Sequence, residues 1–181
     1  MVKVRVMQRN ETGEMEELAV EPLIMTNELA ELIGTQSDPV ILEVERGAIR
    51  RYAQAMEDPN PLYNDVEYAK KSKYGEIICP PGFFGWPVKP ESVAQASLFN
   101  QIINKSGRST GMDNGGEFEF MLPIRAGDIL TSVTKVADIY EEIGRSGNRL
   151  LLSILETTYI DQNGDIVAKS RHREIYLYNA I

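Results

Sequence analysis

Past residue 117 the sequence leaves few folds open. Three runs, Glu117 to Leu122, Asp128 to Tyr140 and Arg149 to Ile160, are rich in Ile, Leu, Thr and Val and read as strands. Asp161-Gln162-Asn163-Gly164 follows, and Asn-Gly favours the twisted turn types that join antiparallel strands. A fourth run, Ile166 to Tyr178, closes the sheet. Apolar residues fall on both parities, Leu150 and Leu152 as well as Leu151 and Leu155. That pattern predicts burial on both faces, or a sheet that continues into a second subunit, so the chain is not expected to stand alone as a monomer.

The first half carries helical signals. Val2 to Met7 alternates apolar with basic and reads as a short strand. Thr26 is placed to cap a helix over Asn27 to Ile33, with Gly34 ending it. Val40 to Val44 reads as a strand leading into a helix at Arg46. In that helix Ile49, Tyr52, Ala53 and Met56 share one face, and Arg50, Arg51, Gln54 and Glu57 the other. Pro59 and Pro61 cannot continue it, and each biases its predecessor toward extended geometry. Asp58 therefore sits where a helix has just ended. Asp65 is a natural N-cap for a second short helix through Lys71. Ser92 to Lys105 has apolar residues at mostly helical positions, with Gly107 after it. This segment, or one starting at Gly82, supplies a helix for the sheet to wrap. Helices early and a meander of long strands late predict an α+β fold, a long antiparallel sheet curled around a central helix.

At 181 residues the chain is the size of one domain with a substantial core, and 43% apolar with 25% charged residues is ordinary for a globular protein. No apolar run is long enough to span a membrane, and the start, Met1-Val2-Lys3-Val4-Arg5, is not a signal peptide, so a cytoplasmic protein without membrane partners is expected. Cys79 is the only cysteine, which excludes an intrachain disulfide; its Ile-Ile-Cys-Pro-Pro setting predicts a buried, unreactive thiol. A net charge of -8 argues against nucleic acid as a partner. His172 is the only histidine, so neither a His-based metal cluster nor a Ser-His-Asp triad is expected, and no cofactor is called for. Gly115-Gly116 is followed by a strand and by no Lys-Ser or Lys-Thr, which rejects a nucleotide loop.

The run Val44 to Ala53, the turn Glu57-Asp58-Pro59-Asn60-Pro61-Leu62-Tyr63, then Asn64-Asp65, Ala69, Tyr74-Gly75 and Ile77-Ile78-Cys79-Pro80-Pro81 resembles the N-terminal half of the MaoC-like dehydratases, which have the hot-dog fold. Gly115 to Phe120, Pro123, Arg125, Gly127-Asp128 and Leu130 form a second block similar to that family, and Asn163 to Ala168 fits its final hairpin. The resemblance runs over about residues 28 to 178. It implies a hot-dog domain over 28–181 behind an N-terminal extension, 1–27, that matches nothing recognised. In this family an Asp, a Pro-bracketed turn and a His follow an apolar helix, and the Asp and His handle the protons of water addition to an acyl thioester or of its loss. Here the acid is present as Asp58, but the base position carries Tyr63. A phenol with a pKa near 10 is a poor general base at neutral pH, whereas imidazole near 6.5 is well placed.

The family holds the thioester carbonyl with backbone N–H groups at the start of the central helix, where the helix dipole adds to the effect. Pro80 and Pro81 occupy that approach and have no N–H to give, which leaves Gly82 and Phe83 as donors. Asn60, Tyr63, Phe83, Phe84 and Trp86 join Gly82 as candidate substrate-binding residues, the aromatics offering area to an acyl chain or a partner surface. Arg145, Arg149, Lys169, Arg171 and Arg173 lie along the last two strands; they are either a solvated strand face or a site for coenzyme A phosphates.

The resemblance implies one of three functions. The chain is a degraded-motif subunit of an (R)-specific enoyl-thioester hydratase or 3-hydroxyacyl-thioester dehydratase, shaping the acyl pocket beside a homologous subunit with intact Asp and His. Alternatively it is a non-catalytic acyl-thioester binder or assembly subunit that self-associates, or a thioesterase working through Asp58. In each case the ligand is a thioester of coenzyme A or of acyl carrier protein.

Overall fold

The computed structural model describes residues 6–10, 12–18, 24–84, 91–107, 111–144 and 147–177. In order these form β1 (Val6–Arg9), β2 (Met15–Leu18), α1 (Asn27–Ala30), β3 (Val40–Glu43), α2 (Arg46–Ala55), α3 (Pro61–Asn64), α4 (Val66–Lys71), α5 (Glu91–Ser106), β4 (Met112–Phe120), β5 (Ile129–Ile143), β6 (Arg149–Ile160) and β7 (Ile166–Leu177). The α+β reading holds. Among the described residues one sheet of seven strands runs β2-β1-β5-β6-β7-β4, with β3 also paired to β5.

Long β5 organises the sheet. Its start pairs antiparallel with β3 (Leu42 opposite Leu130) and its end pairs parallel with β1 (Val6 opposite Glu141), while β6 runs along its other side. β6 and β7 form the expected hairpin, and the Asp161 carboxylate accepts from the N–H groups of Asn163 (2.9 Å) and Asp165 (2.9 Å) to hold its turn. Two features differ from expectation. β4 begins at Met112 rather than Glu117, because a bulge between Asp113 and Gly116 absorbs Asn114 and Gly115 and lets pairing with β7 continue. The turn after Asp58 also contains a helical turn of its own, α3, with Pro61 in its first turn and the Asn60 side chain accepting from the Leu62 N–H at 3.0 Å.

Local signals set the remaining helices. Thr26 caps α1, accepting from the Leu29 N–H at 3.2 Å, and the chain leaves through turns to Gly34 at φ +92. Asp65 caps α4 by accepting from the Tyr68 N–H at 3.0 Å. The face of α5 carrying Leu98 and Ile102 packs on Val136, Ile139, Leu151, Leu155 and Tyr176 of the sheet, and Met25, Leu29 and Leu32 complete this cluster. A second cluster joins Ile49 and Ala53 of α2 to Tyr63, Ile77, Phe84, Ile124, Leu130, Tyr159 and Ala168. Between them the concave face carries the buried row Thr134, Thr157 and Ser170, in which the two threonine hydroxyls are 2.8 Å apart. No described helix is long and apolar enough to cross a membrane.

Candidate functional site

The helix that precedes the turn ends in a way that fixes the turn's direction. Glu57 N–H donates to Gln54 C=O (3.1 Å) and Asp58 N–H to Ala53 C=O (2.9 Å), a Schellman closure with Glu57 at φ +53. A residue with a Cβ pays steric cost there, and glycine would be the relaxed choice. The Asp58 carboxylate then accepts from the Asn60 N–H at 3.0 Å, and the Asn64 amide donates to the carbonyls of Asp58 (3.2 Å) and Asn60 (3.2 Å). Asp58 thus braces its own turn, as Asx residues do. Its side chain borders an open depression with Gln54, Glu57, Pro59 and Asn64.

Tyr63, whose phenol the Asp58 charge still reaches, lines other cavities. Its ring is buried against α2 and the strand-like segment around Ile77, and it borders a separate, largely apolar cleft of about 400 Å³. Tyr74, Ile78, Cys79, Phe120, Met121 and Leu122 form much of the wall. Backbone bonds hold that wall in place: Cys79 N–H donates to Ile124 C=O (2.8 Å) and Ala126 N–H to Ile77 C=O (2.9 Å). Arg125 also reaches across, its Nε donating to Tyr74 C=O at 3.0 Å, while Asp128 accepts from the Arg125 N–H at 2.7 Å. Tyr63 faces a second notch of about 180 Å³ beside Arg46 and Arg50.

Burial first, and then the Asp58 and Tyr74 charges, push the Tyr63 phenol above its ordinary pKa, with a hydrogen bond to Asn60 working the other way. The phenol stays protonated at neutral pH. It can donate a hydrogen bond into the cleft, but it is not a proton acceptor there. Burial likewise pushes the Cys79 thiol up, with the Asp128 carboxylate adding to it, so this thiol is no nucleophile.

The remaining candidates scatter. Pro80-Pro81-Gly82-Phe83 is a turn with Gly82 at φ +81, and the Phe83 N–H donates inside it to Pro80 C=O at 3.1 Å. The Phe83 donor expected for a ligand is therefore engaged within the turn, and no described helix starts at Gly82. The Phe83 ring stacks on Tyr52 at 4.4 Å, and Phe84 is buried against Tyr159 at 4.2 Å. Of the basic candidates, Arg149 is held by the fully buried Glu141 carboxylate, which also accepts from the N–H groups of Ile24 (2.9 Å) and Met25 (3.2 Å). Lys169, Arg171 and Arg173 line the convex face of β7; Arg171 reaches Glu156 at 3.5 Å, and Arg171 and Arg173 flank a notch of about 260 Å³ beside Gly115 and Gly116. Trp86 and Arg145 lie outside the described residues.

A curled sheet over a long helix has counterparts among known proteins. The family model for the FAS1-like dehydratase domain region matches residues 31–170. The chain belongs to this family. A UPF0336 protein of Thermobifida fusca is 34% identical over 134 residues, covering 73% of this chain and 82% of that protein. Solved structures share the hot-dog fold of the MaoC-like dehydratases. One is the ChsH1-ChsH2 complex of Mycobacterium tuberculosis, with a TM-score of 0.64 at 16% identity over 82% of this chain and 88% of that one. Another is the HadBC (3R-hydroxyacyl-ACP dehydratase) complex of the same organism, with a TM-score of 0.59 at 16% identity over 80% and 97%.

Sequence reasoning found Tyr63 but missed the other walls of its cleft. Tyr74 and Ile78 come from the segment after α4, and Met121 and Leu122 from just past the end of β4. The one signal for Met121 and Leu122 was an apolar pair just before Pro123, where a strand has to stop.

Proposed function

We propose that this chain is a subunit of an (R)-specific enoyl-thioester hydratase or 3-hydroxyacyl-thioester dehydratase, in which it shapes the acyl pocket while a homologous subunit supplies the Asp and His. The observation that carries this reading is Tyr63, a buried phenol held protonated at the mouth of an apolar cleft, in the position where the family places its base. The cleft supplies apolar surface for an acyl chain, and the phenol a donor for a polar group, but nothing there accepts the proton of water addition. Two relatives in fold are complexes of paired subunits, which supports a division of labour. Phe120, Met121 and Leu122 link the cleft to the free edge of the sheet, so a partner seated on β4 would border the same cavity. The 28–181 domain carries these features, with 1–27 as an addition, and the assembly belongs in the cytoplasm with its thioester substrates.

The test is crotonyl-CoA hydration by the purified chain, by a motif-intact homologous subunit and by their complex. Loss of a general base costs on the order of 10²–10⁴ in rate, so the chain alone should show almost no turnover and the complex should be active. Ordinary turnover by the chain alone would overturn this reading.

The turn geometry favours a second point, that Asp58 is a brace and not a proton carrier, because its carboxylate is engaged by the Asn60 N–H within its own turn. Asp58→Asn should leave the activity of the complex within about tenfold, roughly 1.4 kcal/mol of barrier. A larger fall at unchanged stability would put the charge of Asp58 in the reaction. A complex that binds thioester but never hydrates it would identify the chain as a binding or assembly subunit. Replacing crotonyl-CoA by an acyl-carrier thioester separates the two carriers.

A further inference from the structure

The free edge of the sheet carries a charge pattern that ends unbalanced. Register across β5, β6, β7 and β4 aligns Lys135, Glu156, Arg171 and Glu117 in one row on the convex face, opposite the row that meets α5. The signs run positive, negative, positive, negative. Lys135 Nζ is 2.8 Å from Glu156 and Arg171 Nε is 3.5 Å from the same carboxylate, so the interior of the row is neutralised. Glu117 closes it at the edge. The neighbouring row repeats the ending, with Lys169 of β7 opposite Glu119 of β4. Both glutamates are exposed, and neither makes an ion pair among the described residues. All nine residues of β4 are exposed, and among the described residues no strand pairs with its outer side.

From this pattern we infer that β4 selects its partner by charge: it is built to pair with a strand bearing Lys or Arg on the convex face, and against pairing with a second copy of itself. An incoming strand with basic residues at alternate positions continues both rows in sign. A second copy does the reverse. An antiparallel pair keeps both faces continuous only if the two-fold axis falls on a residue, and an axis on any of residues 117 to 119 sets Glu117 or Glu119 against a glutamate. Like charges directly opposite each other are destabilising, and opposite charges are stabilising by a similar amount. Arg171 does not relieve the clash, because it is already drawn toward Glu156. The apolar side chains on the other face, Phe118 at 41% exposure and Phe120 at 38%, give area to whichever strand arrives, so charge decides which one stays.

This inference rests on assembly through β4, as in the proposed function, but not on any catalytic role. Its probe is a variant of the same chain, E117K/E119K, mixed in equal amounts with the wild type and followed by sedimentation velocity. Mixed dimers should form about tenfold more tightly than dimers of either protein alone, and added salt should shrink the difference. Wild type that self-associates as tightly as the mixture, or association indifferent to salt, would overturn the inference. So would the absence of association in every mixture, and the crotonyl-CoA assay would then judge the catalytic reading separately. Circular dichroism establishes that the variant folds. If it does not, E117Q/E119Q takes its place, and removing the charge should strengthen self-association relative to wild type; equal or weaker self-association would overturn the inference.

Discussion

At one end of the sheet, β1 lies parallel to the end of β5, β2 folds back on β1, and the chain that follows is tied down where Glu141 receives the N–H groups of Ile24 and Met25 and the Arg149 guanidinium. At the other end, β4 is bonded to β7 alone among the described residues and turns Phe118, Phe120, Met112 and two glutamates to solvent. The first end is closed by a short outer strand of four residues bearing Glu16 and Glu17, the usual way an edge is kept from recruiting another chain. The second is nine residues long and apolar on one face. Stability is concentrated at the closed end, and surface suited to association at the open one.

The largest expected effect breaks the closed end. Arg149→Ala leaves the fully buried Glu141 carboxylate without its counter-charge and should cost about 3–5 kcal/mol in denaturant unfolding. A cost below about 1 kcal/mol would show that the N-terminal segment is held by something else. Next comes Leu29→Ala, which empties a fully buried position of the cluster beneath α5 and should cost about 2–5 kcal/mol. At the open end, Phe118→Ala removes one ring from the group around Phe84 and should cost the isolated chain only about 1 kcal/mol, while weakening association with a partner by at least about tenfold. Equal effects on folding and association would erase the contrast between the two ends.

The smallest effect is a matter of pH. Glu174 faces Asp113 of β4 in register, and burial first, then that charge, holds its carboxyl above the usual pKa. A raised carboxyl binds its proton more readily folded than unfolded, so its ionisation weakens the fold at neutral pH, and the penalty vanishes below its ordinary value of 4.5. Glu174→Gln should therefore raise the melting temperature slightly at pH 7 and leave it unchanged in acid. Glu156, lowered first by its hydrogen bond from Lys135, has the opposite sign: its contribution is present at neutral pH and fades as acid protonates it. Thermal melts of the two glutamine variants across pH separate these contributions.

Much of the fold was legible because it is written in short-range chemistry. Thr26 and Asp65 cap their helices, Asp161 to Gly164 makes its hairpin, and α2 has ended before the prolines that could not continue it. Each depends on neighbours within a few residues, so the local order of side chains was sufficient. The place of Tyr63, five residues after Asp58, could also be read directly from the sequence.

What the tertiary structure decided involves residues far apart in the chain. Tyr63 of α3 shares a cleft with Met121 and Leu122, while Asp58, only five positions away, borders a different depression because the Schellman closure and α3 turn the chain between them. Arg149 looked like Arg171 and Arg173 in the sequence; a buried carboxylate eight residues away made it structural, while β7 left the other two exposed. Glycine signals a weak strand, so Gly115 and Gly116 hid the start of β4, which pairing with β7 across a bulge then supplied. The alternating charge row needs four strands in register before it exists at all. Local propensity fixes which elements form, but burial and register, which decide whether a side chain braces the fold or meets a ligand, are set only when distant segments pack.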